Sequence, residues 1–165
     1  ATGFLHGRLP NGELAAPERS WQQLDAEALA HSFLVNAIGP AMVIKHMLPL
    51  LPREGHCVAV FLSARVGSVG DNRLGGWYAY RAAKAALNQL VHTAAIELAR
   101  RNRSAVCAVV HPGTVDTGLS QPFAKTGLSV RAPDVAAAEI LAVVDALTPA
   151  QSGGFWDHQG LAVPW

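Results

Sequence analysis

Tyr80 and Lys84 stand four residues apart in the run Tyr78-Ala79-Tyr80-Arg81-Ala82-Ala83-Lys84, and on a helix that spacing brings a phenol and an ammonium to one face. A phenol titrates near a pKa of about 10, and a cation held beside it stabilises the phenolate and lowers that value. The pair therefore predicts a tyrosine that exchanges a proton with an alcohol or carbonyl oxygen. Tyr78, six residues before Lys84, is expected to point elsewhere. Taken alone, the spacing is equally that of a solvated helix face.

The elements that must position this pair are legible in the surrounding periodicity. Ala83, Leu87, Leu90, Val91, Ala94 and Leu98 recur at helical spacing, predicting one long helix from Tyr78 to about Asn102. His56 to Ser63 and Ala105 to Val110 are short, almost continuous apolar runs of β-branched character, as expected of strands buried on both faces. Strand, helix and strand in that order predict a parallel crossover unit with helices on both sides of the sheet. In such sheets the ligand lies beyond the carboxyl ends of the strands. Ser63, the turn-rich segment His111 to Thr117 and the first turn of the long helix converge there.

Upstream, residues Ala1 to Ala16 show no period and read as an irregular segment. A helix begins after Asp25 and runs through Leu29, Phe33, Leu34, Ile38, Met42, Val43 and Met47, until Pro49 and Pro52 stop it. Pro40 lies inside this run; it removes a backbone donor, frees the carbonyl of Asn36 and predicts a bend between Asn36 and Pro40. Local satisfaction of the Asn36 side chain is the alternative role for that residue. Downstream, Gly118 to Ala132 reads as flexible, Pro133 opens a helix that ends by Pro149, and Gly153 to Trp156 reads as a last short strand.

Composition narrows the function classes. The chain has 165 residues, half of them hydrophobic, with a formal net charge of +1, which predicts one domain with a substantial core. Without a run of one charge sign, neither nucleic acid nor an anionic membrane is an expected partner. The apolar runs read as too short to span a bilayer, the N-terminus lacks a signal-peptide pattern, and cytoplasmic is the expected location. Cys57 and Cys107 each lie in an apolar strand-like run and read as small hydrophobes. The seven histidines form no ligand-spaced pair and no CxxC or HExxH occurs, so no metal site is expected. Ser63 has no GxSxG context, and neither a dinucleotide fingerprint nor a GK[ST] phosphate loop is present.

Together these residues resemble the short-chain dehydrogenase/reductase family, in four motifs of matching order and spacing along the whole chain. Tyr80 to Lys84 matches the family's YxxxK, and Asn36-Ala37-Ile38-Gly39 its NxxG. Pro112-Gly113-Thr114-Val115-Asp116-Thr117 matches PGxxxT, and Ala1-Thr2-Gly3 looks like the tail of NNAG. The stretch from Ser63 to Asn88 is closest to the subgroup of sniffer-type carbonyl reductases and the bacterial signalling protein C-factor. The resemblance implies an α/β, Rossmann-like doubly wound parallel sheet, represented by its C-terminal portion without the N-terminal βαβ units and their glycine-rich loop. It implies reversible hydride transfer between NAD or NADP and a carbonyl or alcohol substrate, since side chains cannot carry a hydride.

The implied roles follow the motifs. Tyr80 is the acid/base, Lys84 lowers its pKa and holds the cofactor ribose, Ser63 steadies the substrate oxygen and Asn36 anchors a proton relay. Gly3, Tyr80, Lys84, Pro112, Gly113, Val115 and Thr117 are the implied cofactor contacts. The family has two adjacent serines before a glycine, the second catalytic, whereas Ser63-Ala64-Arg65-Val66-Gly67 places Ala64 in that slot. Ser63 is therefore the first choice and Ser68 the other. Family membership also implies a homodimer or homotetramer packed through the two long helices. The alternative reading is a catalytically inactive fragment, or a C-factor-like signalling or interaction protein.

Overall fold

The computed structural model describes residues 3–123 and 129–165. Its centre is a three-stranded parallel sheet built from β3 (Cys57–Leu62), β4 (Ala105–His111) and β7 (Phe155–Asp157), in the order β3-β4-β7. Cys57 pairs with Ala105 and the register continues unbroken to Leu62 with Val110, while Val110 pairs on its other side with Trp156. The predicted strands are thus present within a residue or two of their expected ends.

Alternation along the strands sends side chains into two layers. Cys107, Val109 and Phe155 pack with Leu87, Val91, Ala95 and Leu98 of α3 (Tyr78–Arg101). On the other face Val106 and Ala108 pack against Leu147, at the end of α4 (Pro133–Ala146). β4 is buried along its first six residues, whereas all six residues of β3 are half-buried. Among the described residues the outer edge of β3 has no strand partner.

The predicted helix after Asp25 is one continuous run of three parts: α1 (Ala26–Phe33), a π-helical turn (Leu34–Ile38) and α2 (Gly39–Met47). Asp25 caps its start by accepting from the Ala28 N–H at 2.8 Å. The distortion falls where Pro40 removes the donor that Asn36 would use, and the Gly39 N–H reaches five residues back to Leu34. Because the π turn carries the helix through, Ala26–Leu50 is by length and composition apolar enough to cross a membrane, contrary to the expectation of short runs. Most of it lies exposed on the domain surface.

The segment read as irregular contains a short antiparallel ladder of β1 (Gly7–Arg8) with β2 (Leu14–Ala15). Of the stretch read as flexible, Gly118 to Ala132, the described residues contain a 3-10 turn (Gln121–Phe123) and β6 (Val130–Arg131), which pairs in parallel with β5 (Thr114–Val115), while residues 124–128 lie outside the described residues. Two-residue strands leave too little period to detect in sequence. Ala1 and Thr2 of the predicted NNAG tail lie outside the described residues.

Candidate active site

Tyr80 and Lys84 occupy the first two turns of α3, on the face turned to the sheet, and only 9% and 5% of their surfaces are exposed. The Lys84 ammonium donates to the Leu62 carbonyl at 3.2 Å and stands 5.7 Å from the centroid of the Tyr80 ring. The two side chains share one face as predicted, and Tyr78 is outside it, half-buried.

Burial governs their titration. Desolvation pushes the Tyr80 phenol up to about 12 and brings the Lys84 ammonium down to about 8. This corrects the expectation that Lys84 lowers the phenol's pKa. In this structure the ammonium turns to a carbonyl at the end of β3, and loss of water costs the phenolate more than that distant charge returns.

The two candidate serines are separated by their partners. Ser63 follows β3, its N–H donates to the Val110 carbonyl at 2.9 Å, and its hydroxyl is buried without a hydrogen-bond partner among the described residues. Ser68 donates its hydroxyl to the Pro164 carbonyl and accepts from the Asp71 N–H at 3.0 Å, tying the loop to the C-terminal segment. Gly67 between them has its α-carbon against α3, where a β-carbon would lie 2.7 Å from Lys84 Cβ. A glycine is needed there for the close approach of loop to helix.

Asn36 is fully buried and its amide is satisfied at long range. Its Oδ1 accepts from the Phe4 N–H at 3.0 Å, and its Nδ2 donates to the Phe4 carbonyl at 2.7 Å and to Ser32 Oγ at 3.1 Å. The bend at Pro40 and a satisfied side chain therefore coexist, with the main partner 32 residues away rather than local. Gly3 sits against the same amide, its position for a β-carbon 3.5 Å from Asn36 Oδ1.

Pro112, Gly113, Val115 and Thr117 follow β4 at the carboxyl edge of the sheet. Gly113 has a φ of +76°, and a β-carbon there would lie 3.0 Å from Arg131 Nη1 and 3.3 Å from His158 Nδ1. Val115 is held by the pairing with Arg131, and among the described residues the Thr117 hydroxyl has only long contacts, 3.5 Å to the Val115 carbonyl and 3.4 Å to Ser120 Oγ. The loop backbone is tied down from within: the Asp116 N–H donates to the Arg131 carbonyl at 2.8 Å, and the Thr117 carbonyl accepts from the Ser120 and Gln121 N–H groups at 3.0 Å. These residues fit the nicotinamide end of a dinucleotide: a buried unpaired hydroxyl, a recessed ammonium and a glycine turn meet at one sheet edge.

One neighbour, Glu18, had no sequence signal. Glu18, only 5% exposed, lies across the start of α3, both carboxylate oxygens 3.3 Å from the Ala79 N–H and its carbonyl accepting from the Trp77 N–H at 2.6 Å. A carboxylate there complements the positive end of the helix. His111 ends β4, and its pKa is lowered to about 4 by burial first, then by His158 and Arg65.

Comparison with known proteins bears on the family and the fold. Residues 11–142 match the family model described as Enoyl-(Acyl carrier protein) reductase. The chain is 39% identical over 142 residues to C-signal of Myxococcus xanthus, a match that spans 86% of this chain and 81% of that protein. The carbonyl reductase Sniffer of D. melanogaster shares the fold, with a TM-score of 0.81 at 23% identity over 100% of this chain and 64% of its own. A short-chain dehydrogenase/reductase from Burkholderia multivorans with bound NADP aligns with a TM-score of 0.75 at 25% identity, over 99% of this chain and 64% of its own. The chain spans under two thirds of the length of these two solved structures. With the family model covering most of its residues and the YxxxK pair, the buried serine and the glycine turn gathered at one sheet edge, this chain belongs to the short-chain dehydrogenase/reductase family.

Proposed function

We propose that this chain carries the proton-transfer site of an NAD(P)-dependent reductase acting on a carbonyl or, in reverse, an alcohol. The observation that carries the reading is the buried Ser63 hydroxyl, without a partner among the described residues, at the same sheet edge as Tyr80 and Lys84. A bound NADPH or NADH supplies the hydride. Ser63 donates its hydroxyl proton in a hydrogen bond to the substrate oxygen, which polarises the carbonyl and aims it. Tyr80, a neutral phenol whose ionisation burial makes harder still, gives its phenolic proton to that oxygen as negative charge develops. Lys84, held by the Leu62 carbonyl at the end of β3, is the residue that holds the cofactor ribose, and Asn36 fixes the Phe4 backbone through its side-chain amide. Pro112, Gly113, Val115, Thr117 and Gly3 shape the cradle. NADP as cofactor is supported by the relative solved with NADP bound.

Titration with NADPH and with NADH, followed by nicotinamide fluorescence, tests the reading beside carbonyl turnover by wild type and Tyr80→Phe. Saturable binding with turnover reduced about 10²- to 10⁴-fold in the variant is expected. A folded chain that binds neither cofactor at millimolar concentration overturns it. That outcome favours the second reading, an interaction protein, to which the exposed apolar stripe Leu34, Ile38, Met42 and the similarity to C-signal both point.

A further inference from the structure

Trp77, immediately before α3, has φ +55° and ψ 40°, the one left-handed conformation of a non-glycine residue among the described residues. For a bulky side chain that conformation is strained and persists only where its surroundings over-determine it. Here the surroundings do. Gly75 and Gly76 before it also have positive φ, and the Arg81 guanidinium clamps the turn by donating to the carbonyls of Gly76 at 2.9 Å and of Gly75 and Val66 at 3.2 Å. The Trp77 N–H is held by Glu18.

The frame delivers the indole to one place. Its ring centroid lies 6.4 Å from that of Tyr80 and 5.1 Å from that of Phe123, both edge to face. Phe123 meets His6 at 5.3 Å, and His6 Nε2 lies 3.2 Å from the carbonyl oxygens of Gly118 and Leu119, so the segment 118–123 is docked on the same row. The rings run from the half-buried Phe123 and Trp77 inward to the buried Tyr80. No sequence motif required either outer ring.

We propose that Trp77 and Phe123 are specificity-determining residues, forming an aromatic wall beside the Tyr80 phenol that selects carbonyl substrates with a planar apolar group next to the C=O. This rests on the reading of Tyr80 as the proton donor. A flat ring offers edge and face to both aromatics, while a puckered aliphatic of the same size gains area alone. The Arg81 charge is turned away into its three carbonyls, so the wall offers a charged substrate nothing.

The test compares benzaldehyde with cyclohexanecarboxaldehyde, equal in carbon skeleton and different in planarity. The ratio of their kcat/KM values is expected to fall about three- to tenfold in Phe123→Leu and again in Trp77→Leu, with the KM for cofactor unchanged. Phe123 lies on a 3-10 turn, so its variant remains informative if Trp77→Leu fails to fold. Binding of the two aldehydes by saturation-transfer NMR supplies a readout without turnover. Tyr80-dependent turnover with an unchanged ratio in Phe123→Leu overturns the wall and leaves the reductase reading standing. Absence of turnover sinks the reductase reading, and the binding arm then decides the wall: equal loss or retention of both aldehydes in Phe123→Leu overturns it, selective loss of benzaldehyde sustains it.

Discussion

Ser63 and Ser68 lie five residues apart, and their hydroxyls predict opposite responses to the same substitution. Ser63→Ala removes a buried hydroxyl that has no partner among the described residues, so stability is expected to hold or rise by up to about 1 kcal/mol. Carbonyl turnover is expected to fall about a hundredfold, the cost of losing a donor to a developing oxyanion. Ser68→Ala removes two hydrogen bonds and is expected to lower stability by about 1–3 kcal/mol while turnover per folded molecule holds. Urea melts and steady-state rates on the two variants check this; loss of turnover in Ser68→Ala alone transfers the role to Ser68. His111 gives a pH signature. Its folded pKa of about 4 lies below its ordinary value of 6.5, so the unfolded chain takes the proton first. The stabilisation it contributes is fully present above pH 6.5 and is lost as pH falls toward 4. The drop in urea midpoint between pH 7.5 and 4.5 should be smaller in His111→Leu than in wild type, and equal drops would exclude His111 as its source.

At the scale of elements, α3 is the part on which the site depends, and its start is held by a residue far away in sequence. Glu18 reaches the first turn across 61 positions and satisfies an amide that helix geometry leaves without a partner. Glu18→Ala is expected to cost about 1–2 kcal/mol, as other lost N-terminal caps do. Glu18→Gln should recover part of it, because an amide oxygen still accepts while the charge at the helix terminus is gone. Hydrogen exchange at the Ala79 amide reads the cap directly: exchange as slow in Glu18→Ala as in wild type would mean that the carboxylate does not hold this turn. The π turn in the preceding helix acts on the other side of the site. It lets the chain pass Pro40 without breaking, and so keeps Asn36 aimed at Phe4.

For the whole molecule, the exposed faces matter most. Leu34, Ile38 and Met42 follow one another at four-residue intervals, with Val43 and Met47 beside them, and each is between 46% and 55% exposed. A contiguous apolar stripe of this kind marks an interaction surface. Self-association through α1, α2 and the adjoining face of α3, where Ile96 is also exposed, is the expected use. Light scattering after size exclusion should find a dimer or larger species that Ile38→Glu converts to monomer. A wild-type chain that is monomeric at tens of micromolar would remove this expectation. The half-buried edge strand β3 sets a second boundary condition, since its outer hydrogen-bonding groups face no strand among the described residues.

What the sequence determined by itself was local and periodic. The bounds of α3, β3 and β4, the shared face of Tyr80 and Lys84, and the bend at Pro40 all follow from spacings of two to four residues and from the covalent limits of proline. What only the tertiary structure decided was set by partners without a period. Whether Tyr80 titrates above or below an ordinary phenol depends on the balance between lost water and the distance of one ammonium, and packing fixes both. The free serine is told from the structural one by Pro164, 96 residues from Ser68, and the Asn36 amide is met by Phe4, 32 residues away. Glu18 on α3 and Phe123 against Trp77 belong to the same class. Pairings of this kind arise from how layers close over one another, and a hydrophobic pattern specifies which face closes without saying which polar atom it meets.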